Sequence, residues 1–382
     1  MKDKDARSFA IKPDKDTLRQ FKSCYREKFV VKAALMPDAH KGYVAPIGSV
    51  LVTKDYVVPS WVGYDIGCGV SAAKIKNKGV LKLIKENKDK IYEEVRKNVP
   101  MGLGNISEKS DLSEKSKKKF EKIVKKFKNK EYSKDVLNFI ENGKARLHLG
   151  SLGHGNHFIE IAFDEKGYAW IVVHCGSRGV GHKIAGIYMK KSANKKEDFE
   201  KTYPLEKNSK LGKEYLNVLD FGLEFALINR MEIIERVIGS IEKVLGKKVS
   251  WNLWVNKNHN HAILEKGLFI HRKGATPAKK GERGVIPGNM KDGSYLVEGK
   301  GNKEFLESTS HGAGRKYGRK DARKRFNMKD FKELMKGIKA TVDERVLDEI
   351  PLAYKDIDEV MEAQKKSAKI VSHLKPLINW KG

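Results

Sequence analysis

A mixed α/β fold is what this chain predicts, with central mixed β-sheets flanked by helices in a single compact domain over residues 1–382. Three observations carry that expectation. Short β-forming runs alternate with longer stretches of helical periodicity. Almost every β-like run begins or ends at a cluster of Gly, His, Asn or Asp, as when strand ends present a polar site above a sheet. No internal repeat, low-complexity linker or Pro/Ser-rich boundary divides the sequence.

Taken in order, the spacing of Leu83, Ile84, Ile91 and Val95 predicts a lysine-dense amphipathic helix within 80–99, and Phe120, Ile123, Val124 and Phe127 predict another within 111–142. Both leave their lysines on a solvated face. Strands are expected at 47–53, 70–75, 158–163, 169–173, 268–271 and 295–297. Between them a long core helix runs from about 216 to 245, with Leu219, Leu223, Ala226, Met231, Ile234, Val237, Ile241 and Val244 at helical spacing and Gly246 as its stop. Further helices are expected at 328–340 and 357–374.

The charge excludes an acidic, solvating protein: 78 Lys+Arg against 49 Asp+Glu give a net +29, and the pI is about 9.7. Such a balance asks for an anionic partner, nucleic acid first, although a plain lysine-rich surface would give the same total. Mean hydropathy is −0.56. No apolar run approaches the ~18 residues of a membrane span, and Met1–Asp16 has no apolar signal core, so a cytoplasmic protein without membrane contact is expected. Three cysteines, Cys24, Cys68 and Cys175, are too few for a disulfide framework, which leaves ligand or nucleophile as the roles a cysteine would have.

The histidines carry most of the functional signal. Of 11, several sit in Gly/Asn-rich stretches: Asp38-Ala-His40, His154-Gly-Asn156-His157, His174-Cys175-Gly-Ser-Arg178, His259-Asn260-His261 and His311-Gly-Ala-Gly-Arg315. Asp65-Ile-Gly67-Cys68-Gly69 sets a carboxylate and a thiol three apart around a glycine turn that lets both reach one point. Thiolate, carboxylate and imidazole together suit Zn, Fe, Co or Mn, and a cysteine bridging two ions would permit a two-metal site. A lone histidine is more often a core or surface residue; it is the grouping that points to a metal. No HExxH and no zinc-finger spacing occur.

Neither a GxxxxGK[ST] loop nor a GxGxxG after a strand is present, so a nucleotide would be held otherwise. The small-residue turns Pro287-Gly-Asn-Met290 with Ser294, and His311-Gly-Ala-Gly-Arg315, offer backbone N–H groups for phosphate and an imidazole that could attack it; each taken alone is also an ordinary turn. His174-Cys175 as a nucleophile pair is weak, because adjacent side chains usually point apart.

Met36-Pro-Asp-Ala-His40, Pro46-Ile-Gly48, Gly63-Tyr-Asp-Ile-Gly-Cys-Gly69, Leu152-Gly-His-Gly-Asn-His-Phe158, His174-Cys-Gly-Ser-Arg-Gly179, His259-Asn260, Arg272-Lys-Gly-Ala-Thr276, Pro287-Gly288 and His311-Gly-Ala-Gly-Arg315 resemble, in order, the motifs of the RtcB family of GTP-dependent RNA-splicing ligases. The resemblance runs from about residue 33 to Lys381-Gly382, with 1–32 poorly matched. It implies joining of RNA 3′-phosphate or 2′,3′-cyclic phosphate ends to 5′-hydroxyl ends, in tRNA splicing or RNA repair, with GTP as co-substrate and two Mn²⁺ ions. Carried onto this chain, Cys68 would bridge the ions, one completed by His174 and His259, the other by Asp65 and His157. His311 would take GMP as a phosphoramidate and Asp38 would orient it. Asn156, His157, Phe158, Glu160, His259, Asn260, Pro287, Gly288, Asn289, Met290, Ser294, His311, Gly312, Ala313, Gly314, Tyr354 and Lys381 match guanylate-binding positions. Arg178, Arg315 and Arg319, and more weakly Arg146 and Lys273, would meet RNA phosphates. An archease-type activator is a partner the resemblance brings in, and a monomer is expected in the absence of an obvious apolar stripe.

Three departures stand out: His154 where the family has glycine, Cys175 where it has serine, and Asn289 with Lys291 where it has serine and glycine. None removes a metal ligand or the nucleophile. The alternatives are an enzyme on the same scaffold that caps or heals 3′-phosphate ends without sealing, and a basic RNA-binding protein whose metal is structural.

Overall fold

The computed structural model describes residues 5–107, 112–128, 130–194, 198 and 200–382. Its largest sheet runs in the order Arg283–Pro287, Ser294–Gly299, Ala368–Lys381, Phe158–Phe163, Ala169–Cys175, Gly69–Ile75, Trp251–Asn258. Neighbours on that path are antiparallel, and Lys339–Ala340 adds in parallel beside Ala368–Lys381. Arg283–Pro287 returns against Trp251–Asn258, so the sheet curls towards a barrel. Val70, Ala72, Phe158, Val172, Val255, Val285, Leu296 and Leu374 fill its inside. On the outside, Ile159, Ile161, Ile171 and Val173, one step out of phase along the same strands, pack against Ile233, Ile234, Val237 and Ile241 of the long helix Lys210–Leu245.

A second sheet has the order Asp5–Ser8, Val30–His40, Ile47–Lys54, Leu268–Lys273, Asn260–Glu265, with the first pair parallel and the rest antiparallel. The chain leaves the first sheet at Asn258 and enters the second at Asn260, so His259 lies where the two meet. Strand ends and turns from both sheets therefore converge on one cleft.

The 36-residue helix Lys210–Leu245 starts earlier than its apolar periodicity begins. The Ser209 hydroxyl accepts from the Gly212 N–H at 3.0 Å, capping its N-terminus, and Gly246 closes it in the left-handed conformation at φ +65°. The stretch 80–99 forms two helices, Gly79–Glu86 and Lys88–Asn98, because Asn87 leaves helical geometry and turns its amide onto the Leu83 carbonyl at 3.0 Å. The stretch 111–142 likewise gives Glu114–Lys128 and Lys134–Glu141; residues 111 and 129 lie outside the described ones. The helix expected at 328–340 ends at Leu334, and Gly337 at φ +88° turns the chain into the short strand Lys339–Ala340.

The helix expected at 357–374 is corrected. Ile357–Ala363 is helical, but Ala368–Lys381 is a strand that forms the spine of the large sheet between Ser294–Gly299 and Phe158–Phe163. β-Branched Ile370 and Val371, then Pro376, favour the extended chain, and two register shifts absorb the irregularity. Among the described residues no helix is long and apolar enough to cross a membrane.

Candidate active site

The cleft has a volume of about 1580 Å³, larger than the roughly 300–1,000 Å³ of a small-molecule pocket. At its floor are the ends of four strands of the large sheet. The register pairs Val70 and Phe158 with His174, and Gly69 with Asn258, which sets Cys68, His157, His174 and His259 along one edge. Gly69 is needed for this approach: a Cβ there would lie 2.0 Å from the Lys257 carbonyl oxygen.

Two donor groups share the Cys68 sulfur. Cys68, His174 and His259 form one, and Asp65, Cys68 and His157 the other, with the ligand atoms of each group within 4.8 Å of one another. The Cys68 Sγ lies 3.2 Å from His174 Nε2 and 3.5 Å from His157 Nε2; Asp65 Oδ2 is 2.9 Å from His157 Nε2, and the Nε2 atoms of His174 and His259 are 3.3 Å apart. Nδ1 of His157 faces the Leu152 carbonyl at 3.0 Å and Nδ1 of His174 that of Asn156 at 3.1 Å. Nδ1–H donation to those carbonyls leaves the inward Nε2 lone pairs for a cation. Burial, then the Asp65 charge, pushes the Cys68 thiol up to about 12, so its thiolate needs a cation to persist.

Sequence reasoning missed what braces this floor. Arg230, buried in the long helix, donates from Nη1 to the carbonyls of Gly67 and Cys175 at 2.8 Å each, from Nη2 to Asn258 at 2.6 Å and from Nε to Asn256 at 2.8 Å. Asn229 accepts from the Gly150 N–H and donates to the Gly176 carbonyl. Adjacent Asn229 and Arg230, with Glu232 close behind, inside the otherwise apolar stretch Phe225–Ile234 were the available signal. Cys175 points to the opposite face from His174, its thiol towards the Leu152 carbonyl at 3.1 Å, which leaves no Cys/His pair at this dipeptide.

His311 stands beside the donor groups, its ring 4.8 Å from that of His259 and edge-on to it. Asp38 Oδ2 is 2.6 Å from His311 Nδ1 and also accepts from the backbone N–H groups of His311 and Gly312. Burial pushes the fully buried Asp38 carboxyl up, but the charge and hydrogen bond of His311 outweigh it and hold it below its ordinary value. An ionised Asp38 keeps the proton on Nδ1 and leaves Nε2 as the nucleophilic atom. Gly314, at φ +73°, lets the turn pass Asp38: a Cβ there would sit 2.0 Å from the Asp38 carbonyl oxygen.

All the guanylate candidates named above line the cleft. Glu160, on the inner face of the curled sheet, accepts from Asn379 at 3.1 Å, and its carboxyl lies beside the buried Ser294 hydroxyl, both of them lining the cleft. The Asn260 amide holds the carbonyls of Val62 and Asp65 at 3.0 and 2.7 Å, with its Oδ1 unpartnered. Asn289 folds its own turn, accepting from the N–H groups of Lys291 and Asp292. His154 is exposed at the cleft wall, as is Asn156, whose carbonyl receives His174 Nδ1.

Lys381 and Tyr354 meet at Glu349, which the sequence reading missed. This buried carboxylate takes Lys381 Nζ at 2.5 Å, the Tyr354 hydroxyl, Arg315 Nη1 at 3.0 Å and Arg319 Nη1 at 2.7 Å. Arg315 is thus directed inward, donating also to the carbonyls of Asp348 and Tyr317. Arg319 reaches Asp348 at 2.6 Å and keeps 45% of its side chain exposed. Arg178 lines the cleft against Gly153. Lys273 is buried against the Val62 carbonyl at 3.4 Å, and burial lowers its ammonium to about 8. Arg146 stands outside the cleft wall that His148 of the same turn helps to form.

Burial raises the Glu160 carboxyl to about 8, against a smaller opposing pull from Asn379, Lys381 and the Ser294 hydroxyl. The unfolded chain gives up this proton near 4.5 and the folded one only near 8, so stability contributed below 4.5 is lost as pH rises to 8. Glu160→Gln should remove that slope. Calorimetric melting of both proteins without nucleotide should show the variant gaining on wild type between pH 5 and 8, by a few kcal/mol in all, with the difference level above that window; parallel curves would contradict a protonated Glu160.

A shared-sulfur donor centre, an aspartate-held imidazole and a cleft too large for a small metabolite together define a group-transfer enzyme acting on a sizeable substrate. The family model described as tRNA-splicing ligase RtcB matches residues 20–382, and the chain belongs to the RtcB family. The match begins before residue 33, taking in the second half of the helix Lys15–Tyr25. RNA-splicing ligase RtcB of Escherichia coli is 32% identical over 388 residues, covering 96% of this chain and 94% of that protein. The tRNA-splicing ligase RtcB of Nanoarchaeum equitans is 30% identical over 450 residues, covering 97% and 92%.

Proposed function

We propose that this chain is a GTP- and Mn²⁺-dependent RNA ligase that joins a 3′-phosphate, or a 2′,3′-cyclic phosphate once water has opened it, to a 5′-hydroxyl. The carrying observation is the Asp38–His311 pair, which leaves His311 Nε2 free beside the shared-sulfur donor groups. Both relatives are named splicing ligases, which favours sealing over capping or healing alone.

In this reading His311 Nε2 attacks the α-phosphorus of GTP; the P–N bond forms, the bond to the β-phosphate oxygen breaks, and pyrophosphate leaves. An oxygen of the RNA 3′-phosphate then displaces His311 and takes the guanylyl group. The 5′-hydroxyl finally attacks the 3′-phosphorus of that activated end, its proton is lost, a phosphodiester forms and GMP departs. Asp38 holds the imidazole through the first two steps. Glu160 and Ser294 face the guanylate, with Lys381 and Tyr354 placed by Glu349. The Cys68/His174/His259 and Asp65/Cys68/His157 groups would hold two Mn²⁺ ions, which supply charge neutralisation at the phosphates when bound. Arg178 and Arg319, both lining the cleft, would meet RNA phosphate. One domain over 1–382, a cytoplasmic monomer and an archease-type activator belong to the same reading.

Wild-type protein incubated with α-labelled GTP and Mn²⁺ should retain acid-labile label, then pass it on when 3′-phosphate and 5′-hydroxyl RNAs are added, with joined RNA and free GMP appearing together. Chelation before GTP should prevent labelling. Label ending on capped RNA without joining would favour the healing alternative; no label with any divalent ion would overturn the nucleotidyl-transfer mechanism.

A further inference from the structure

Tyr43 is an anomaly on the cleft rim. A ring that size normally gains by burial, yet Tyr43 is 76% exposed. Its backbone is the reverse of loose. The Gln20 side chain donates to the carbonyls of Gly42 and Tyr43 at 2.9 and 2.8 Å and accepts from the Gly42 N–H at 3.0 Å, while Lys41 pairs with Asp16 at 2.6 Å. The turn is also tight, because a Cβ on Gly42 would lie 2.3 Å from the Ala45 carbonyl oxygen. Asp16 and Gln20, on the one helix Lys15–Tyr25, thus fix the turn from which the Tyr43 ring stands out into the cleft.

That ring is backed by others. Tyr64 meets Tyr43 edge-on, centroids 6.4 Å apart at 83°. Tyr64 is itself fixed: its hydroxyl donates to Glu200 at 2.6 Å, and His182 stacks on it at 4.7 Å and 21°. All three rings line the same cleft as His311, and Tyr64 directly precedes the donor Asp65. With Arg178 also lining it, the cleft offers positive charge for a backbone and a flat apolar face for a base, the pairing by which single strands are bound.

We propose that Tyr43 is a nucleobase-stacking platform: a base of the RNA within a few nucleotides of the reacting ends lies on its exposed face, with Tyr64 holding the ring edge-on from behind. This rests on the reading of the chain as an RNA ligase.

The test uses full-length protein, and RNA ends carrying 2-aminopurine one to three nucleotides from the reacting phosphate or hydroxyl. Wild type should quench the fluorophore at one of these positions and join the strands. Tyr43→Ala should lose that quench and bind RNA roughly 5- to 150-fold more weakly, with an unchanged slope of affinity against salt, since no phosphate contact is removed. Tyr43→Phe should keep both quench and affinity, because the ring and not the hydroxyl is the platform; Tyr43→Leu should follow alanine. A Tyr43→Ala protein that quenches and binds like wild type, while wild type joins the strands, would overturn the platform alone. Failure of wild type to bind or join the RNA would overturn platform and ligase reading together.

Discussion

His311→Ala should leave the protein with no covalently held guanylate and lower RNA joining by ~10⁴-fold or more, the scale on which loss of a nucleophile is felt. The geometry makes the effect specific to one step. Asp38 fixes Nδ1 at 2.6 Å, so Nε2 is the ring nitrogen of His311 left to attack phosphorus. Of the imidazoles beside it, His259 is committed at Nε2 to the donor group it shares with Cys68 and His174, and His40 faces the Asp38 carbonyl through Nδ1 with its ring 6.4 Å from that of His311. RNA supplied with its 3′-phosphate already carrying the guanylyl group needs no histidine, so His311→Ala should still join it. Asp38→Asn should sit between the two, labelling slowly, because an amide no longer favours the proton on Nδ1. Denaturing gels of labelled protein, and joining of activated against unactivated RNA, separate these outcomes. Equal failure on both RNAs would place His311 in support of the cleft rather than at the phosphorus.

The donor set was legible because its members are chemically distinctive and sit in glycine turns at strand ends. Cys68, His157 and His174 could be grouped before any pairing was known, since each flanks an expected β-like run and antiparallel register then gathers such ends, whereas His259 stood out only by its Asn/His-rich stretch, the strands Trp251–Asn258 and Asn260–Glu265 on either side of it not being among those expected. The helix Lys210–Leu245 was legible from its period. The final strand was not: Ile357–Ala363 is a true helix whose apolar rhythm carries on by chance into Ala368–Lys381, and only pairing on both edges makes that segment extended. Arg230, Asn379 and Glu349 escaped for a related reason. Their types are common on surfaces, and their roles exist only through partners far away in sequence, such as Glu349 with Lys381, 32 residues on.

Glu349 carries the second large expectation. Its carboxylate is 1% exposed and gathers Lys381, Arg315, Arg319 and the Tyr354 hydroxyl, so it balances three cations in a buried wall of the cleft. Burial works against its charge, but Lys381, Arg319 and Arg315 overcome that and bring its pKa down to about 2. Glu349→Gln keeps the shape and removes the charge. Lys381 and Arg315 are then left buried beside a neutral amide, a loss of about 3–5 kcal/mol; Arg319, 45% exposed, adds little because water screens it. Melting temperature should fall by roughly 4–6 °C. The sign with pH follows from the lowered value: the stabilisation is present above about 4.5 and lost as pH falls through 2, so the gap between variant and wild type should close on acidification. Because Lys381 and Tyr354 lose their anchor, the KM for GTP should rise while labelling at saturating GTP falls less. Equal melting at neutral pH would mean that the cations turn outward to solvent, and Glu349 would lose its place as the hub of this wall.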